Sequence, residues 1–379
     1  MRYKLLPEVC DIQYGYAFDS KLFSDNVGTP IVRIRDVVRG YSETKTSELC
    51  PDNYNVENGD ILIGMDGEFN IAKWNGGHAV LNQRVCKLIP KNQEIESDYL
   101  FFYMPKALKA IEDKTPFVTV KHLSAKELNK IIVPIPNRER QITISNQLKL
   151  LNTLLGKYNR IDTRLDELIK SRFVEMFGDP VSNSLGWQTI LMKRLASKIG
   201  SGATPKGGRE SYGTEGISLI RSMNVYNGCF EYKDLAYISD DQAKKLENVV
   251  IQENDVLLNI TGASVARCCI VPDGILPARV NQHVCIIRCN NKIIPKYLCH
   301  LLIDDNYQRF LLDLAGSGAT REAITKQQIE ELSIIIPPIK LQNQFADFAT
   351  KVEIQKATVQ QSIDKLETLK KSLTQDYFG

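Results

Sequence analysis

The glycine-rich stretch GSGATPKGG, residues 200–208, is the part of the sequence that comes closest to a phosphate-binding loop. A nucleotide-binding loop of this kind needs a Gly directly before its Lys and a Ser or Thr directly after it. Here Pro205 precedes Lys206, and a glycine follows it. An adenine methyltransferase would need an Asn or Asp before a Pro-Pro-aromatic run, but Pro337-Pro338 follows Ile336. The sequence therefore predicts a chain that is not an enzyme and holds no cofactor.

Two cysteines and two histidines raise the question of a zinc site. Cys285 and Cys289 are four residues apart, with His283 and His300 nearby. The run HVCIIRC looks like a buried strand, so reduced buried thiols are the favoured interpretation. The nine cysteines are odd in number and form no C-x-x-C pair. The four histidines have no Ser or Cys at a spacing typical of nucleophilic catalysis. We expect no metal.

The overall composition is that of an ordinary globular protein. The chain has 379 residues, of which 43% are hydrophobic and 25% charged, and a net charge of only +3. Any nucleic-acid surface would therefore have to be local, built from clustered Lys and Arg. The N-terminal MRYKLLPEVC has no apolar run long enough for a signal peptide, and no window of about 18 apolar residues follows. We expect a cytoplasmic protein with no membrane partner.

The segment at 138–178 is predicted to be one long helix that positions whatever chemistry the chain has. It contains no Pro, and Gly156 is the one Gly between Arg138 and Phe177. Its apolar residues alternate at spacings of three and four, which is typical of a coiled-coil seam. We expect Ile161, Leu168 and Phe173 to widen this apolar stripe. At about 1.5 Å per residue the helix would be roughly 60 Å long, so it needs a partner helix.

The partner is predicted in the same chain, at residues 339–379. This segment aligns with 138–178 without a gap, every matched pair being 201 residues apart, as for Leu165 and Leu366. Phe348, Leu369 and Tyr377 also fall on its apolar stripe. We predict an antiparallel coiled coil between the two helices. The interface is predicted to contain Leu148, Leu151, Leu155, Tyr158, Leu165, Ile169, Phe345, Val352, Val359, Ile363, Leu366 and Leu373.

The segments before the two helices repeat as well, and both look β-rich. GISLIRSMNV at 216–225 parallels TPIVRIRDVV, ENDVLLNITG at 253–262 parallels NGDILIGMDG, and VNQHVC parallels LNQRVC. We also match Trp187 to Tyr3. The predicted fold class is α+β, with two β-rich domains separated by two long helices that pack as an antiparallel coiled coil, in an internal pseudo-twofold repeat. The predicted divisions are 1–137 (β-rich), 138–178 (helix), 179–338 (β-rich) and 339–379 (helix).

Several motifs in this layout carry a resemblance to a known family. They are the strand–proline–helix junctions IIVPIPNRERQ (131–141) and IIIPPIKLQNQF (334–345), GSGATPK soon after Trp187, MFGDP (176–180), and the Ile-Arg pairs Ile34-Arg35 and Ile220-Arg221. Together the motifs make the whole chain resemble the specificity subunit of type I restriction–modification enzymes. The resemblance implies two target recognition domains, each reading one half of a split site in double-stranded DNA. It also implies helices that set the spacing, dock modification (methyltransferase) subunits and allow restriction (translocase–nuclease) subunits to join.

Given that resemblance, the side chains expected to touch DNA are Arg, Lys, Asn and Gln at base edges, with basic or hydroxyl groups at phosphates. In the first domain we predict contacts from Tyr14, Tyr16, Lys21, Arg35, Lys73, Trp74, Gln83, Arg84 and Lys121. In the second domain we predict contacts from Ser201, Thr204, Lys206, Arg209, Arg221, Asn224, Arg267, Gln282, His283 and Arg321.

Repetition helps to rank these residues, because domains that read different bases should differ at the base-reading positions. The pairs Asn82-Gln83 and Asn281-Gln282 recur in both domains, so a role in shaping a turn is favoured over adenine recognition. The same argument makes Arg35 and Arg221 phosphate contacts or packing residues. Lys73, Lys206 and Arg209 lie in stretches that do not repeat, and they are better candidates for readout.

The predicted function is a non-catalytic DNA-recognition subunit that binds a bipartite site. The alternative is a coiled-coil scaffold whose β-rich domains bind protein rather than DNA. Salt separates the two, because contacts to several phosphates weaken steeply with salt and an apolar protein interface does not.

Overall fold

The computed structural model describes residues 2–91, 93–114, 121–205, 207–316 and 322–379. Contacts divide the chain into two compact units, one formed by Met1–Tyr158 with Ser362–Gly379 and the other by Asn159–Gln361. Each unit therefore contains one β-rich half of the repeat together with a part of each long helix.

The first unit contains eleven strands among its described residues. They are β1 (Arg2–Leu5), β2 (Cys10–Tyr14), β3 (Phe23–Ser24), β4 (Thr29–Val32), β5 (Lys45–Thr46), β6 (Asn55–Val56), β7 (Ile61–Gly64), β8 (Ile71–Lys73), β9 (Ala79–Leu81), β10 (Val85–Pro90) and β11 (Ile132–Ile135). The helices up to the first long helix are α1 (Leu6–Val9), α2 (Ile34–Arg39), α3 (Ser97–Lys114), α4 (Ala125–Leu128) and α5 (Arg138–Phe177), with 3₁₀ turns at Ser20–Leu22 and Asp52–Tyr54.

The central sheet of the first unit is antiparallel, in the order β2-β10-β7-β8. The run ILIG in β7 is buried on both faces, which explains why it is apolar throughout rather than alternating. Ile61 and Ile63 face a core shared with α3 and the long helices, while Leu62 faces a second core with Val32 and Leu81. A five-stranded sheet, β3-β5-β4-β9-β6, contains the parallel pair β4–β9, and β1 pairs with β11.

The second unit repeats this set of elements. Its described strands are β12 (Thr189–Leu191), β13 (Ala196–Ser201), β14 (Ile217–Ile220), β15 (Val225–Tyr226), β16 (Cys229–Phe230), β17 (Ala236–Ile238), β18 (Val256–Asn259), β19 (Cys268–Ile270), β20 (Ala278–Val280), β21 (Val284–Cys289) and β22 (Ser333–Ile335). Its helices are α6 (Asp240–Lys244), α7 (Pro295–Leu302), α8 (Asp305–Gly316), α9 (Lys326–Glu331) and α10 (Ile339–Phe378), with 3₁₀ turns at Met192–Arg194, Gly208–Ser211, Ser222–Asn224, Glu247–Val249 and Gly262–Ser264.

The strand order confirms the predicted repeat. The sheet β13-β21-β18-β19 matches β2-β10-β7-β8, the pair β12–β22 matches β1–β11, and the parallel pair β14–β20 matches β4–β9. The strand–proline–helix junctions also match in detail. The buried Gln141 amide accepts from the Glu96 N–H (2.8 Å) and donates to Pro136 O (3.0 Å). Gln342 does the same with Ile294 N–H (2.9 Å) and Pro337 O (2.9 Å).

The two long helices pack together in both units, as predicted. In the first unit Leu148 and Leu151 of α5 share a core with Leu366 and Leu373 near the end of α10. In the second unit the later part of α5 packs against the beginning of α10, and the shared core includes Leu165, Ile169, Phe173, Phe345 and Val352. The start of each helix thus meets the end of the other, which makes the pair antiparallel.

The apolar stripe is narrower than predicted. Leu155, Tyr158 and Val359 are half-buried and Ile363 is buried. By contrast, Ile161 and Leu168 are 43% and 46% exposed, and Leu369 of α10 is 46% exposed. These three residues lie outside the seam, so the predicted widening of the stripe holds for Phe173 alone.

Strand pairing corrects one predicted match between the halves. Tyr3 pairs with Pro134, and Thr189 pairs with Ile335, 201 residues after Pro134. Tyr3 is therefore equivalent to Thr189 and not to Trp187, a shift of two residues. Trp187 instead donates its indole N–H to Phe177 O at 3.0 Å.

Among the described residues, we find no helical segment that could span a lipid bilayer.

Candidate nucleic-acid interface

Four loops of the first unit are tied together at one end of the central sheet. The Gly15 N–H donates to Val85 O at 3.1 Å and the Gln83 N–H to Tyr16 O at 2.9 Å. The Met65 N–H donates to Arg84 O and the Gly67 N–H to Lys121 O, both at 2.9 Å. These bonds gather the ends of β2 and β7, the turn before β10 and the segment before α4. We call this surface rim 1 and define it as residues 15–17, 65–68, 82–84 and 121–122.

The second unit builds the corresponding surface, and its Ile260 and Gly262 bonds match those of Met65 and Gly67 in rim 1. The Gly202 bond goes to a different carbonyl of the turn from that of its equivalent Gly15. The Gly202 N–H donates to Asn281 O at 3.1 Å, the Ile260 N–H to His283 O at 2.9 Å and the Gly262 N–H to Glu322 O at 3.0 Å. We call this surface rim 2 and define it as residues 202–204, 260–263, 281–283 and 322–323. Backbone hydrogen bonds fix each rim, so its side chains are free to differ.

A glycine is required where the first loop of each rim crosses the turn before the central strand. A Cβ on Gly15 would lie 2.0 Å from Asn82 O, and one on Gly202 would lie 1.8 Å from Val280 O. The two residues are equivalent, because Tyr14 pairs with Cys86 and Ser201 pairs with Cys285. The close approach is therefore part of the scaffold in both units.

Equivalent positions of the two rims carry different chemistry. In rim 1 the Asp66 carboxylate lies 2.5 Å from His122 Nδ1 and 3.4 Å from an Arg84 guanidinium nitrogen. In rim 2 the equivalent of Asp66 is Thr261, whose hydroxyl lies 2.5 Å from Nδ1 of His283. His283 is equivalent to Arg84, because each accepts a backbone hydrogen bond at its carbonyl from the residue before Thr261 or Asp66. Ala323 is equivalent to His122, because each forms a backbone bridge with Thr261 or Asp66.

The repeated Asn-Gln pairs divide into a scaffold residue and a surface residue. The Asn82 side chain accepts from the Arg84 N–H (3.3 Å), and the Asn281 side chain accepts from the His283 N–H (3.0 Å). Both bonds hold the turn. Gln83 and Gln282 remain exposed on the rims, and Gln282 accepts a hydrogen bond from the Thr204 hydroxyl.

The predicted match between two Ile-Arg pairs is wrong by two residues. Val32 pairs with Leu81 and Ile220 pairs with Val280, which makes Arg221 equivalent to Arg33 rather than to Arg35. The Arg33 N–H donates to the Asp36 side chain (3.0 Å), and the Arg221 N–H donates to the Asn224 side chain (3.1 Å). The pattern of Arg followed three residues later by Asp or Asn is the sequence signal for this turn.

Two predicted DNA contacts are buried and are corrected to structural residues. Trp74 is 1% exposed, and its indole N–H donates to Gly77 O at 2.6 Å. Asn224 is fully buried, and its amide donates to Glu231 O at 2.9 Å. Neither side chain presents a free polar group to a base edge, because burial and internal hydrogen bonds use what each can offer.

Several predicted basic contacts lie in internal pairs. Lys73 forms an ion pair with Asp98 and lies 5.7 Å from the centre of the Phe101 ring. Lys121 donates to Glu112 O at 2.9 Å. Arg35 lies 3.6 Å from the buried Asp36 carboxylate.

The predicted arginines of the second unit also contact their own domain. Arg221 donates to Asp234 O and lies over the Tyr212 ring. Arg267 lies 4.5 Å from the centre of the Tyr226 ring.

The two predicted tyrosines differ in their surroundings. Burial raises the pKa of Tyr14 to about 12, and its hydroxyl has no hydrogen-bond partner among the described residues. Tyr16 belongs to rim 1, where Glu48 raises its pKa and its ring meets those of Phe18 and Tyr54 edge-on.

The remaining predicted contacts are spread over the surface. Lys21 is exposed in a 3₁₀ turn, and Ser201 ends β13 directly before rim 2. Arg209 lies in the turn Gly208–Ser211. Lys206 and Arg321 lie outside the described residues.

The cysteines carry no sign of a metal centre. Within the described ranges, no group of three or more His, Cys, Asp or Glu residues is placed to hold a metal ion. Cys285 and Cys289 both lie on β21, and burial raises the pKa of each thiol to about 12. Burial therefore favours the protonated form of both thiols.

Comparison of the sequence with known protein families shows to which family this chain belongs. The model of the type I restriction modification DNA specificity domain matches residues 2–162 and again 185–368, one match for each half of the repeat. The chain belongs to this family. It is a specificity subunit with two copies of the DNA specificity domain, and in such systems this subunit is not the catalytic one.

Curated relatives cover most of this specificity subunit. The type I restriction enzyme EcoBI specificity subunit of Escherichia coli is 26% identical over 369 residues, which cover 89% of this chain and 76% of the relative. The MjaVIII specificity subunit of Methanocaldococcus jannaschii is 21% identical over 346 residues, which cover 84% and 80%.

Solved structures share the fold of this specificity subunit. The S subunit of a type I restriction–modification system from M. genitalium superposes with a TM-score of 0.66 at 12% identity, over 100% of this chain and 96% of that one. A chain from a study of complex assembly and conformational transition of the type I R-M system gives a TM-score of 0.58 at 16% identity, over 100% and 97%.

Proposed function

We propose that this specificity subunit binds double-stranded DNA through rim 1 and rim 2, and that each rim reads one half of a split site. The observation that carries the proposal is that Arg84 of rim 1 and His283 of rim 2 occupy equivalent positions, as do Asp66 of rim 1 and Thr261 of rim 2. The two rims share equivalent backbone hydrogen bonds at Met65 and Ile260 and at Gly67 and Gly262, while the side chains at these equivalent positions differ. Two domains that recognise different base sequences need different side chains on a common scaffold. Each correct base contact contributes roughly 1–3 kcal/mol to discrimination between sequences, so a change of one such side chain changes the sequence preferred.

Catalysis belongs to partners in this proposal. The subunit docks modification (methyltransferase) subunits, and restriction (translocase–nuclease) subunits join that complex. The antiparallel pair α5–α10 provides the docking surface and sets the gap between half-sites. Exposed apolar residues on these helices, such as Leu168 and Leu369, support a further protein contact there.

We further propose the domain division that the sequence suggests, with recognition domains at 1–137 and 179–338 and conserved helices at 138–178 and 339–379. The complex would work in the cytoplasm, where bacterial and archaeal DNA is found. The contact-based units cut through both long helices instead of at their ends, since each β-rich half packs against parts of both.

A scaffold with two protein-binding domains is the competing function. Membership of the DNA specificity family favours DNA. The test is the salt dependence of binding by the assembled complex, because each phosphate contact lowers the affinity as salt rises. Binding that is insensitive to salt would favour the scaffold.

Domain exchange tests the division of labour between the rims. Residues 1–137, which include all of rim 1, would be replaced by the equivalent segment of another specificity subunit, and methylated sites would be mapped in a host genome. We expect one half-site to change and the other to stay. A change in both half-sites would contradict the proposal that each rim reads independently.

A further inference from the structure

A cavity of about 350 Å³ lies beside rim 2, in the second unit. Its lining includes Gly200 and Ser201 at the end of β13, Cys285 on β21, and the two basic residues Lys198 and Lys326. Ile260, which belongs to rim 2, also lines it. The cavity therefore opens next to the surface that we propose reads DNA.

The first unit has a large side chain at the equivalent place. Ser201 pairs with Cys285 as Tyr14 pairs with Cys86, so Tyr14 is the equivalent of Ser201. Burial raises the pKa of Tyr14 to about 12, with a further contribution from the neighbouring Cys86 thiol. A phenol ring thus stands in the first unit where the second unit has a serine hydroxyl and open space.

The charge at this place also differs between the units. The same strand register makes Lys198 equivalent to Asp11, which pairs with Lys91 at 3.1 Å. Lys326, which follows the cap residue Thr325, is equivalent to Ala125, which follows the cap residue Ser124. The first unit therefore has an acid and an alanine where the second has two lysines.

The two lysines differ in how far they are already neutralised. Lys326 lies 3.5 Å from Glu330 within its own helix. Lys198 is half-buried and has no ion-pair partner within the part of the chain that the structure describes. A half-buried cation without a counter-ion favours binding of an anion.

We propose that this cavity binds a phosphate group. The two ammonium groups supply charge, and the Ser201 hydroxyl and the exposed Asn248 amide supply further donors at the lining. A Cβ on Gly200 would meet nothing within 4 Å, which leaves room at the lining. The phosphate comes either from the DNA backbone at rim 2, an assignment that rests on the proposed function, or from free phosphate in solution.

The first arm of the test measures DNA binding by the assembled complex over a range of salt concentrations. The test variant is Lys198→Gln/Lys326→Gln, and the control is Lys292→Gln/Lys233→Gln, which removes two exposed lysines of the same unit. Losing one phosphate contact lowers the slope of log affinity against log salt by about 0.9. We expect that change for the test variant and none for the control.

The second arm measures thermal unfolding of the full chain in inorganic phosphate and in chloride of equal ionic strength. We expect phosphate to raise the Tm of the wild type more than that of the test variant. Ser201→Tyr, which copies the first unit, should lose the phosphate effect as well. If Ser201→Tyr lowers the Tm in chloride, the substitution has disturbed the fold. The phosphate effect is then judged from the lysine variant alone.

The outcomes separate the two sources. A changed salt slope supports a DNA phosphate, and stabilisation by phosphate with an unchanged slope supports free phosphate. If the test variant behaves like the control in the first arm and like the wild type in the second, the phosphate site is overturned. If the wild-type complex binds no DNA at all, the proposed function fails, while the second arm still decides whether the cavity binds phosphate.

Discussion

The ring of Phe378 lies edge-on to the ring of Tyr99, with their centroids 5.5 Å apart, and Phe177 meets Tyr297 in the same way at 4.8 Å. Phe378 ends α10 and Phe177 ends α5. In the first unit the end of α10 therefore packs on the β-rich half, whose last strand, β11, leads into α5. In the second unit the end of α5 packs on the β-rich half, whose last strand, β22, leads into α10. Tyr99 and Tyr297 also donate to Pro134 O and Ile335 O, both at 2.9 Å.

The contact at Phe378 predicts the effect of Phe378→Ala. Phe378 is 8% exposed and packs on the core of the first unit. Removing a buried phenyl ring should lower the free energy of unfolding by about 3–5 kcal/mol. Chemical denaturation of the full chain measures this. The control is Leu369→Ala on the same helix, where a 46% exposed side chain should cost well under 1 kcal/mol. Equal losses in the two variants would show that the contact contributes nothing of its own.

An ion-paired carboxylate in the second unit predicts a pH dependence of stability. Glu353 lies 2.6 Å from the Lys296 ammonium and 3.6 Å from His300 Nε2. Burial acts to raise the pKa of Glu353, but the hydrogen bonds and charges of His300 and Lys296 outweigh it and hold the pKa below its ordinary value. A lowered pKa in the folded state means stability that is present above the unfolded-state pKa and is lost as pH falls through the folded-state pKa.

We therefore expect Glu353→Gln to unfold more easily at neutral pH and to lose less stability than the wild type between neutral and acidic pH. Thermal unfolding across that range measures the difference. Glu367→Gln, at an exposed position of the same helix, serves as the control. A wild type and a Glu353→Gln variant whose Tm values fall in parallel with pH would contradict the assignment.

The long helices were predictable from the sequence because their signal is strong and local. From Arg138 to Phe177 and from Ile339 to Phe378, spacings of three and four run over 40 residues with no proline. The exposed positions of the stripe were not predictable. Ile161 and Leu168 are apolar but exposed, because the partner helix does not cover them. Which apolar residues the partner helix covers depends on how the two helices pack, and the sequence pattern does not show this.

The residue-by-residue match between the two halves was less predictable, and the two errors have different causes. Tyr3 was matched to Trp187 instead of Thr189, and Arg35 to Arg221 instead of Arg33, in each case two residues away from the observed equivalent. Tyr3 lies on β1, where side chains alternate with a period of two, so a shift of two leaves the same pattern of apolar residues. Arg33 and Arg35 lie at the start of α2, and there the Ile-Arg dipeptide that both halves contain suggests the wrong match. Hydrogen-bond pairing removes this ambiguity, and sequence periodicity does not.

The candidate site was only partly accessible from sequence for a related reason. A tryptophan or asparagine in a loop-like stretch carries no signal of its burial, so the sequence predicts DNA contacts for Trp74 and Asn224 although the fold places both in the interior. Asp66, Thr261 and His122 were missed because they become neighbours of Arg84 and His283 only through folding.

The rims predict a substitution with an effect on one half-site. His283→Ala removes an imidazole that contacts the Thr261 hydroxyl in rim 2. We expect roughly a 10- to 100-fold loss of affinity for the cognate site and relaxed preference at one position of the second half-site, because a base contact is worth about 1–3 kcal/mol. Binding to a library of randomised half-sites measures both. His78→Ala, a histidine paired with Glu57 outside both rims, is the control, and relaxation of the first half-site by His283→Ala would refute the assignment.

The last prediction concerns the length of the paired helices. The Gln147 side chain accepts from the Tyr377 hydroxyl, and Asp166 pairs with Lys356 at 2.6 Å, so the turn of α5 at Gly156 faces the turn of α10 near Glu367. Inserting seven residues after Gly156 and seven after Glu367 keeps the apolar seam in phase and lengthens both helices by about 10 Å. Because B-DNA rises about 3.4 Å per base pair, we expect the preferred gap between half-sites to grow by about three base pairs. Binding to DNAs with graded gaps measures the shift. The same seven residues placed in the connection at 179–186 should leave the gap unchanged, and an unchanged gap in the helix variant would mean that the helices do not set the spacing.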